Sequence, residues 1–168
     1  MKMKLDVNTP LGQDAIKWAR RGANAFLEAN PHLRLVETDQ NKPADVDGII
    51  YTAKEGGTIK AVVEIKTRYM TLAKLMEDYE GQWLLNNSKL ERGVALALSL
   101  QCSFMVILVL PASKIALAQE VSDDKGDLIP KVKTGMATTR ATTNGGTAHR
   151  EVAYIDMTKA KQYKTKSL

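Results

Sequence analysis

Residues 104–110, Phe-Met-Val-Ile-Leu-Val-Leu, form seven consecutive apolar residues that stop at Pro111. A short run with no polar alternation suits a β-strand buried on both faces, so its sheet must carry a covering layer on each side. The run is far short of the roughly twenty residues a membrane span needs. A chain of 168 residues fits one domain and hides roughly 68–70% of its extended surface on folding, enough to supply those layers. With 44% apolar and 26% charged residues, the chain is globular rather than disordered or fibrous. The single cysteine, Cys102, excludes an internal disulfide and a cysteine-rich zinc site. No apolar stretch follows the charged start Met1-Lys2-Met3-Lys4-Leu5-Asp6, so a soluble protein of a reducing cytoplasm is expected, with no membrane partner. A net charge of +5 favours a polyanionic partner without requiring one.

The rest of the chain supplies helices and further strands. Residues 11–29 place Ala15, Trp18, Ala19, Ala23, Phe26 and Leu27 at helical spacing, with Lys17, Arg20, Arg21, Asn24 and Glu28 on the wetter side. Asn8-Thr9-Pro10 marks the start and Asn30-Pro31 the stop. Residues 33–37 alternate as a short strand, and a turn over residues 39–43 follows. Residues 45–52 and 58–67 are β-rich runs around Gly56-Gly57, the pattern of a β-hairpin. Residues 71–100 are helical in composition, and Gly81 divides them into helices over 71–79 and 82–100. Beyond Pro111 come accessory strands, a polar loop over 121–127, and a second hairpin of residues 129–139 and 147–156 around Asn144-Gly145-Gly146. The basic tail, residues 159–168, is expected to fray. The helix after the third strand can serve as a crossover, permitting the apolar fourth strand to pair in parallel. The fold class is therefore α/β: one domain over residues 1–168, with a mixed sheet flanked by helices and a C-terminal β-hairpin.

Chemistry concentrates on the first hairpin. Glu64 and Lys66 are two apart at the end of an apolar strand, so they point to the same face. If Gly56 and Gly57 form a two-residue turn, Asp47 faces Lys66, Ile49 faces Glu64, and Asp47 and Glu64 are diagonal neighbours about 7–8 Å apart or somewhat less. Two carboxylates so placed can share one Mg²⁺, which takes oxygen ligands and keeps several waters. Such an ion can polarise a phosphoryl oxygen and acidify an attacking water. An adjacent ammonium, Lys66, can hold that water and offset developing negative charge. The plain alternative is a strand-end ion pair contributing a few tenths of a kcal/mol.

Asp47, then Glu64-Ile65-Lys66 on a hairpin preceded by a helix and followed by helix and strand, resembles the PD-(D/E)xK nuclease superfamily over about residues 11–111. The resemblance implies a restriction-endonuclease-like αβββαβ core, with residues 129–156 as an accessory hairpin. It implies that Asp47 and Glu64 bind Mg²⁺ or Mn²⁺, that the Ile65 carbonyl adds a ligand, and that Lys66 serves the attacking water. Pro43 lies upstream, displaced from the family position. Asp45 competes with Asp47 for the family aspartate, since both would point the same way on a regular strand. The register given above favours Asp47. Asp14 and Glu28 both qualify as the acid many members carry on the first helix, being almost four turns apart and nearly on one stripe. Gln82 and Lys89 are options for a contribution from the following helix. The implied activity is metal-dependent hydrolysis of DNA in phage or cellular replication, recombination or repair, as an exonuclease or junction resolvase. A homo-oligomer is compatible with it, as is a host-cytoplasm location for a phage protein. The alternatives are a DNA-binding module on the same fold that does not cut, or a structural subunit meeting an acidic protein.

Lys131, Lys133, Arg140 and Arg150 surround threonine- and glycine-rich sequence in the second hairpin, including Thr134, Thr138, Thr139, Thr142, Thr143 and Thr147. They can hold phosphates or simply keep an edge soluble. His32 and His149 lack metal-ligand spacing, Ser88 and Ser99 lack a nucleophile elbow, and neither Gly-Gly pair has a phosphate-loop pattern. Asp123-Asp124-Lys125 has the looser Asp-x-Lys form but sits in a polar loop.

Overall fold

The computed structural model describes residues 8–40, 42–141 and 145–166. Residues 1–7, Asn41 of the first turn, Thr142, Thr143 and Asn144 of the second hairpin, and Ser167 and Leu168 lie outside them. The chain is α/β. Thr9 caps helix α1 (Pro10–Ala29) by accepting the Gly12 N–H at 3.0 Å, with Pro10 in the first turn. Strands β1 (Leu33–Glu37), β2 (Gly48–Thr52) and β3 (Ile59–Thr67) follow as an antiparallel meander. The chain then crosses over through α2 (Leu72–Glu77), β4 (Gln82–Asn86) and α3 (Asn87–Ser99), and β5 (Ser103–Leu110) pairs in parallel with β3. A 3-10 turn over Pro111–Ser113 and Lys114, at φ 52°, reverses it into β6 (Ile115–Ser122). Strands β7 (Val132–Arg140), β8 (Thr147–Asp156) and β9 (Lys161–Lys164) complete it. Among the described residues no helix is long and apolar enough to cross a membrane.

Two sheets result: a mixed six-stranded one in the order β1-β2-β3-β5-β6-β9 and a three-stranded one in the order β4-β8-β7. Residues 104–110 are central in the large sheet, and both of its faces are covered. On one face α1 lays Ala23 and Phe26 against Ala61, Val63, Ile65, Ile107 and Val109. On the other, Val62, Phe104, Val106 and Leu108 meet Leu75 of α2, Leu90 and Ala97 of α3, and Trp83, Leu85, Ala153 and Ile155 of the small sheet. Both long helices approach β5 at glycines. A Cβ at Gly22 would run into the Val109 side chain, and one at Gly93 would lie 2.6 Å from the Phe104 ring.

Four expectations are corrected. Residues 82–86 are a strand, because Trp83 and Leu85 alternate inward and the backbone pairs with β8. Residues 121–122 are not loop but the end of β6, an alanine-rich strand of low β-propensity that the sheet imposes. The tail does not fray at residues 161–164: β9 pairs with β6, and Tyr163 sets its ring edge-on to Phe26 at 5.5 Å.

The fourth concerns the first hairpin. Its loop spans residues 53–57, closed by the Thr52 N–H donating to Thr58 O at 2.9 Å, and a bulge between Ile50 and Tyr51 absorbs one residue. Gly48 therefore faces Val63 and Ile49 faces Val62, two places from the two-residue-turn register. A shift of one would have turned Asp47 to the other face; a shift of two preserves the face.

Candidate functional site

Alternation along β3 sends Val63 and Ile65 toward α1, so Glu64 and Lys66 point toward the α3 layer. β2 begins only at Gly48, and the preceding residue, Asp47, donates its N–H to Val63 O at 2.9 Å. Continued one place beyond the Gly48–Val63 pair, the register sets Asp47 opposite Glu64 rather than diagonal to it. The Ile65 N–H faces the edge of β3 that β2 has left, and Asp47 Oδ2 accepts it at 2.7 Å. In a strand the N–H and C=O of one residue share an edge, so the Ile65 carbonyl opens on the same side as Asp47.

Lys66 Nζ lies 2.7 Å from Glu64 Oε1 and 3.5 Å from Asp47 Oδ2, bridging the two carboxylates. From the opposite side, Lys89 of α3 places Nζ 3.4 Å from Glu64 Oε2 and donates to Ala44 O at 2.8 Å. Lys89 thus ties the segment carrying Asp47 to Glu64. The Glu64 side chain is only 1% exposed, against 22% for Asp47 and 32% for Lys66. Glu64 Oε1 is thus engaged by the Lys66 ammonium and Oε2 by Lys89, so the buried carboxylate is compensated by two cations. Burial pulls the Lys66 ammonium toward a lower pKa, but Asp47 and Glu64 outweigh it and leave the group above the ordinary lysine value.

The other expected residues are distributed as follows. Asp45 precedes β2 and turns to Arg92, 3.5 Å away and exposed, so Asp47 is the aspartate beside Glu64. Asp14 lies near the end of β3, where Thr67 Oγ1 donates to Ala15 O at 2.8 Å, but α1 puts it on the other side of the sheet. There it accepts the Tyr69 hydroxyl at 2.6 Å. Glu28, about 21 Å further along α1, pairs with Lys166 at 2.9 Å and is separate from the cluster. Gln82 is not helical: on β4 it pairs with Asp156 of β8, and alternation puts it on the face opposite to inward-facing Trp83. Lys89 is the helix residue that does join.

The basic residues of the second hairpin do not form one patch. In the β7–β8 register Lys133 faces Tyr154 and Arg150 faces Ala137, so these two share a face four residues apart, about 13 Å. Lys131, whose carbonyl accepts the Asp156 N–H at 3.0 Å, continues the ladder on the Lys133 side, whereas Arg140, opposite Thr147, is on the reverse face.

Among the described residues no three His, Cys, Asp or Glu side chains gather to hold a metal. The oxygen donors at the cluster are the two carboxylates and the Ile65 carbonyl. Mg²⁺ is commonly held by one or two carboxylates plus waters and substrate oxygens, so a set of two carboxylates within reach of one ammonium, with a backbone carbonyl beside them, fits such an ion. No protein-family model matches the chain, and searches of curated proteins and of solved structures find no match.

Proposed function

We propose that the protein is a Mg²⁺- or Mn²⁺-dependent deoxyribonuclease of the PD-(D/E)xK type, built on a restriction-endonuclease-like core of α1, β1–β3, the helical crossover and β5. The observation that carries this reading is one ammonium, Lys66, within 3.5 Å of both the Asp47 and the Glu64 carboxylates. The ion would be held by Asp47, Glu64 and the Ile65 carbonyl, and when bound it supplies polarisation of a phosphoryl oxygen and a more acidic water. Lys66, stabilised as an ammonium by its two acids, acts as a donor that orients the water and offsets charge on the attacked phosphate. Lys89 holds Glu64 in place, and the Asp47–Ile65 bond orients the Asp47 carboxylate. The products carry 5′-phosphates, and the substrate is DNA in phage or cellular replication, recombination or repair.

The test is incubation with linear, circular and branched DNA in Mg²⁺, Mn²⁺ or EDTA. Cleavage that needs the divalent ion and is lost in Lys66→Ala is expected. Cleavage in EDTA, or full activity in Lys66→Ala, contradicts the proposal. A second reading, a DNA-binding module that does not hydrolyse, is favoured by the charge balance at the cluster, where two lysines neutralise two acids with no ion required. It is distinguished by salt-sensitive DNA binding without turnover in any divalent ion.

A further inference from the structure

The ladder between β3 and β5 runs one residue beyond β3: Arg68 donates its N–H to Val109 O at 2.9 Å. Arg68 therefore continues the alternation that turns Glu64 and Lys66 toward the α3 layer, and its side chain leaves the sheet on their face. A guanidinium offers five N–H donors in a planar fork. Arg68 uses Nη1 in a bond to the adjacent Thr67 O at 3.0 Å, and among the described residues no carboxylate lies within ion-pair distance of it. Arg68 is half-buried, and burial pushes its pKa below the ordinary arginine value.

Lys66 and Lys89 are also partly withdrawn from water, but Glu64 and Asp47 compensate them. Among the described residues Arg68 has no such partner. The local sum is three cations against two carboxylates, before any divalent ion is added. Withdrawing a permanent cation from water without a counterion is unfavourable, and a ligand that brings the counterion relieves it. The guanidinium fork matches the paired oxygens of a phosphate. Arg68 lies two residues past Lys66, about 7 Å along the strand, a step comparable to that between neighbouring phosphates on one nucleic-acid strand.

We infer that Arg68 is a phosphate-binding residue that grips the DNA backbone at the phosphate next to the one attacked beside Lys66. This rests on the reading of the cluster as a DNA site. It assigns Arg68 to substrate binding rather than to the fold.

The test compares wild type with Arg68→Gln, Arg68→Lys and, as a charge control on the loop after β6, Lys125→Gln. Binding of a labelled short duplex is measured by fluorescence anisotropy without divalent ion between 50 and 200 mM salt, about the span over which phosphate contacts register. Arg68→Gln is expected to weaken binding about tenfold and to flatten the slope of log affinity against log salt by about 0.9, one phosphate contact. Arg68→Lys should keep the slope and lose part of the affinity, and Lys125→Gln should match wild type. The unfolding midpoint of Arg68→Gln should equal or exceed that of wild type, since no internal ion pair is broken. Unchanged affinity and slope in Arg68→Gln overturn the assignment. So do losses matched by Lys125→Gln, a lowered unfolding midpoint that accounts for the weaker binding, or a wild type that does not bind DNA. If wild type binds with an Arg68-dependent slope yet cleaves with no divalent ion, the metal-dependent mechanism fails and Arg68 stands. If wild type cleaves and Arg68→Gln equals it in binding and KM, Arg68 fails and hydrolysis stands.

Discussion

The Asp47 carboxylate accepts the Ile65 N–H at 2.7 Å, doing for the edge of β3 what β2 does further back along the strand. Asp47→Ala leaves that donor without a partner beside a buried residue, and a buried unsatisfied group costs about 1–3 kcal/mol. Asp47→Asn keeps an acceptor in place and should cost less. Urea unfolding midpoints check the order: wild type, then Asp47→Asn, then Asp47→Ala. Equal stability for the two variants would show that the bond does not organise this edge.

Among the described residues Glu64 is the only acid within ion-pair distance of Lys89, and it is shared with Lys66. Glu64→Ala leaves two ammonium groups facing each other near the core. Breaking a fully buried pair costs roughly 3–5 kcal/mol; the lysines are 32% and 26% exposed, so a loss at or below the lower end is expected. Chemical denaturation measures it.

A divalent ion held as proposed would compete with Lys66 for the same carboxylate oxygens. Lys66→Met should therefore be less stable than wild type without metal and gain more from Mg²⁺. A ligand at about one hundred times its Kd adds about 2.7 kcal/mol. Scanning calorimetry with and without Mg²⁺ reads the difference, and an equal or smaller Mg²⁺ response in Lys66→Met contradicts the shared site.

Desolvation, the hydrogen bond to Asp14 and that acid's charge together push the Tyr69 hydroxyl up to about 12. A folded-state pKa above the unfolded value of about 10 means that this contribution is intact below pH 10 and is lost as the pH rises toward 12. The stability advantage of wild type over Tyr69→Phe should be flat at neutral pH and shrink over that alkaline interval. Ultraviolet titration should show a phenolate near pH 12 that is missing from Tyr69→Phe.

Gly93 lets α3 approach β5, with a Cβ there 2.6 Å from the Phe104 ring. Gly93→Ala must displace a buried aromatic and is expected to destabilise by about 1–3 kcal/mol, despite the better helix propensity of alanine. Thermal unfolding of the variant checks this.

Where sequence periodicity was unambiguous, the fold was legible. Residues 104–110 indicated a doubly covered central strand, and the crossover before them permitted the parallel pairing with β3 that is observed. Residues 82–86 were obscured because Leu84 and Leu85 fit a helical stripe as well as a strand, and pairing with the distant β8 decides between them. β6 and β9 were obscured because alanine and lysine have little strand preference of their own, and both strands exist through their partners. At the site, the spacing of Glu64 and Lys66 guaranteed a shared face, and the two-place register change left Asp47 on it. Lys89 was legible only as an option, since its reach depends on how α3 crosses the sheet. Arg68 carried a signal that passed unused: positions 64, 66 and 68 extend the same alternation by one more step.

The most direct measurement is Mn²⁺ uptake followed by electron paramagnetic resonance on wild type, Asp47→Asn and Glu64→Gln, each first shown to be folded by circular dichroism. Wild type should withdraw Mn²⁺ from the free pool, compete with Mg²⁺ for it, and lose most of that capacity in either variant. A wild type that takes up no Mn²⁺ at millimolar concentrations, or variants that take up as much as it does, would contradict a divalent-ion centre at Asp47 and Glu64.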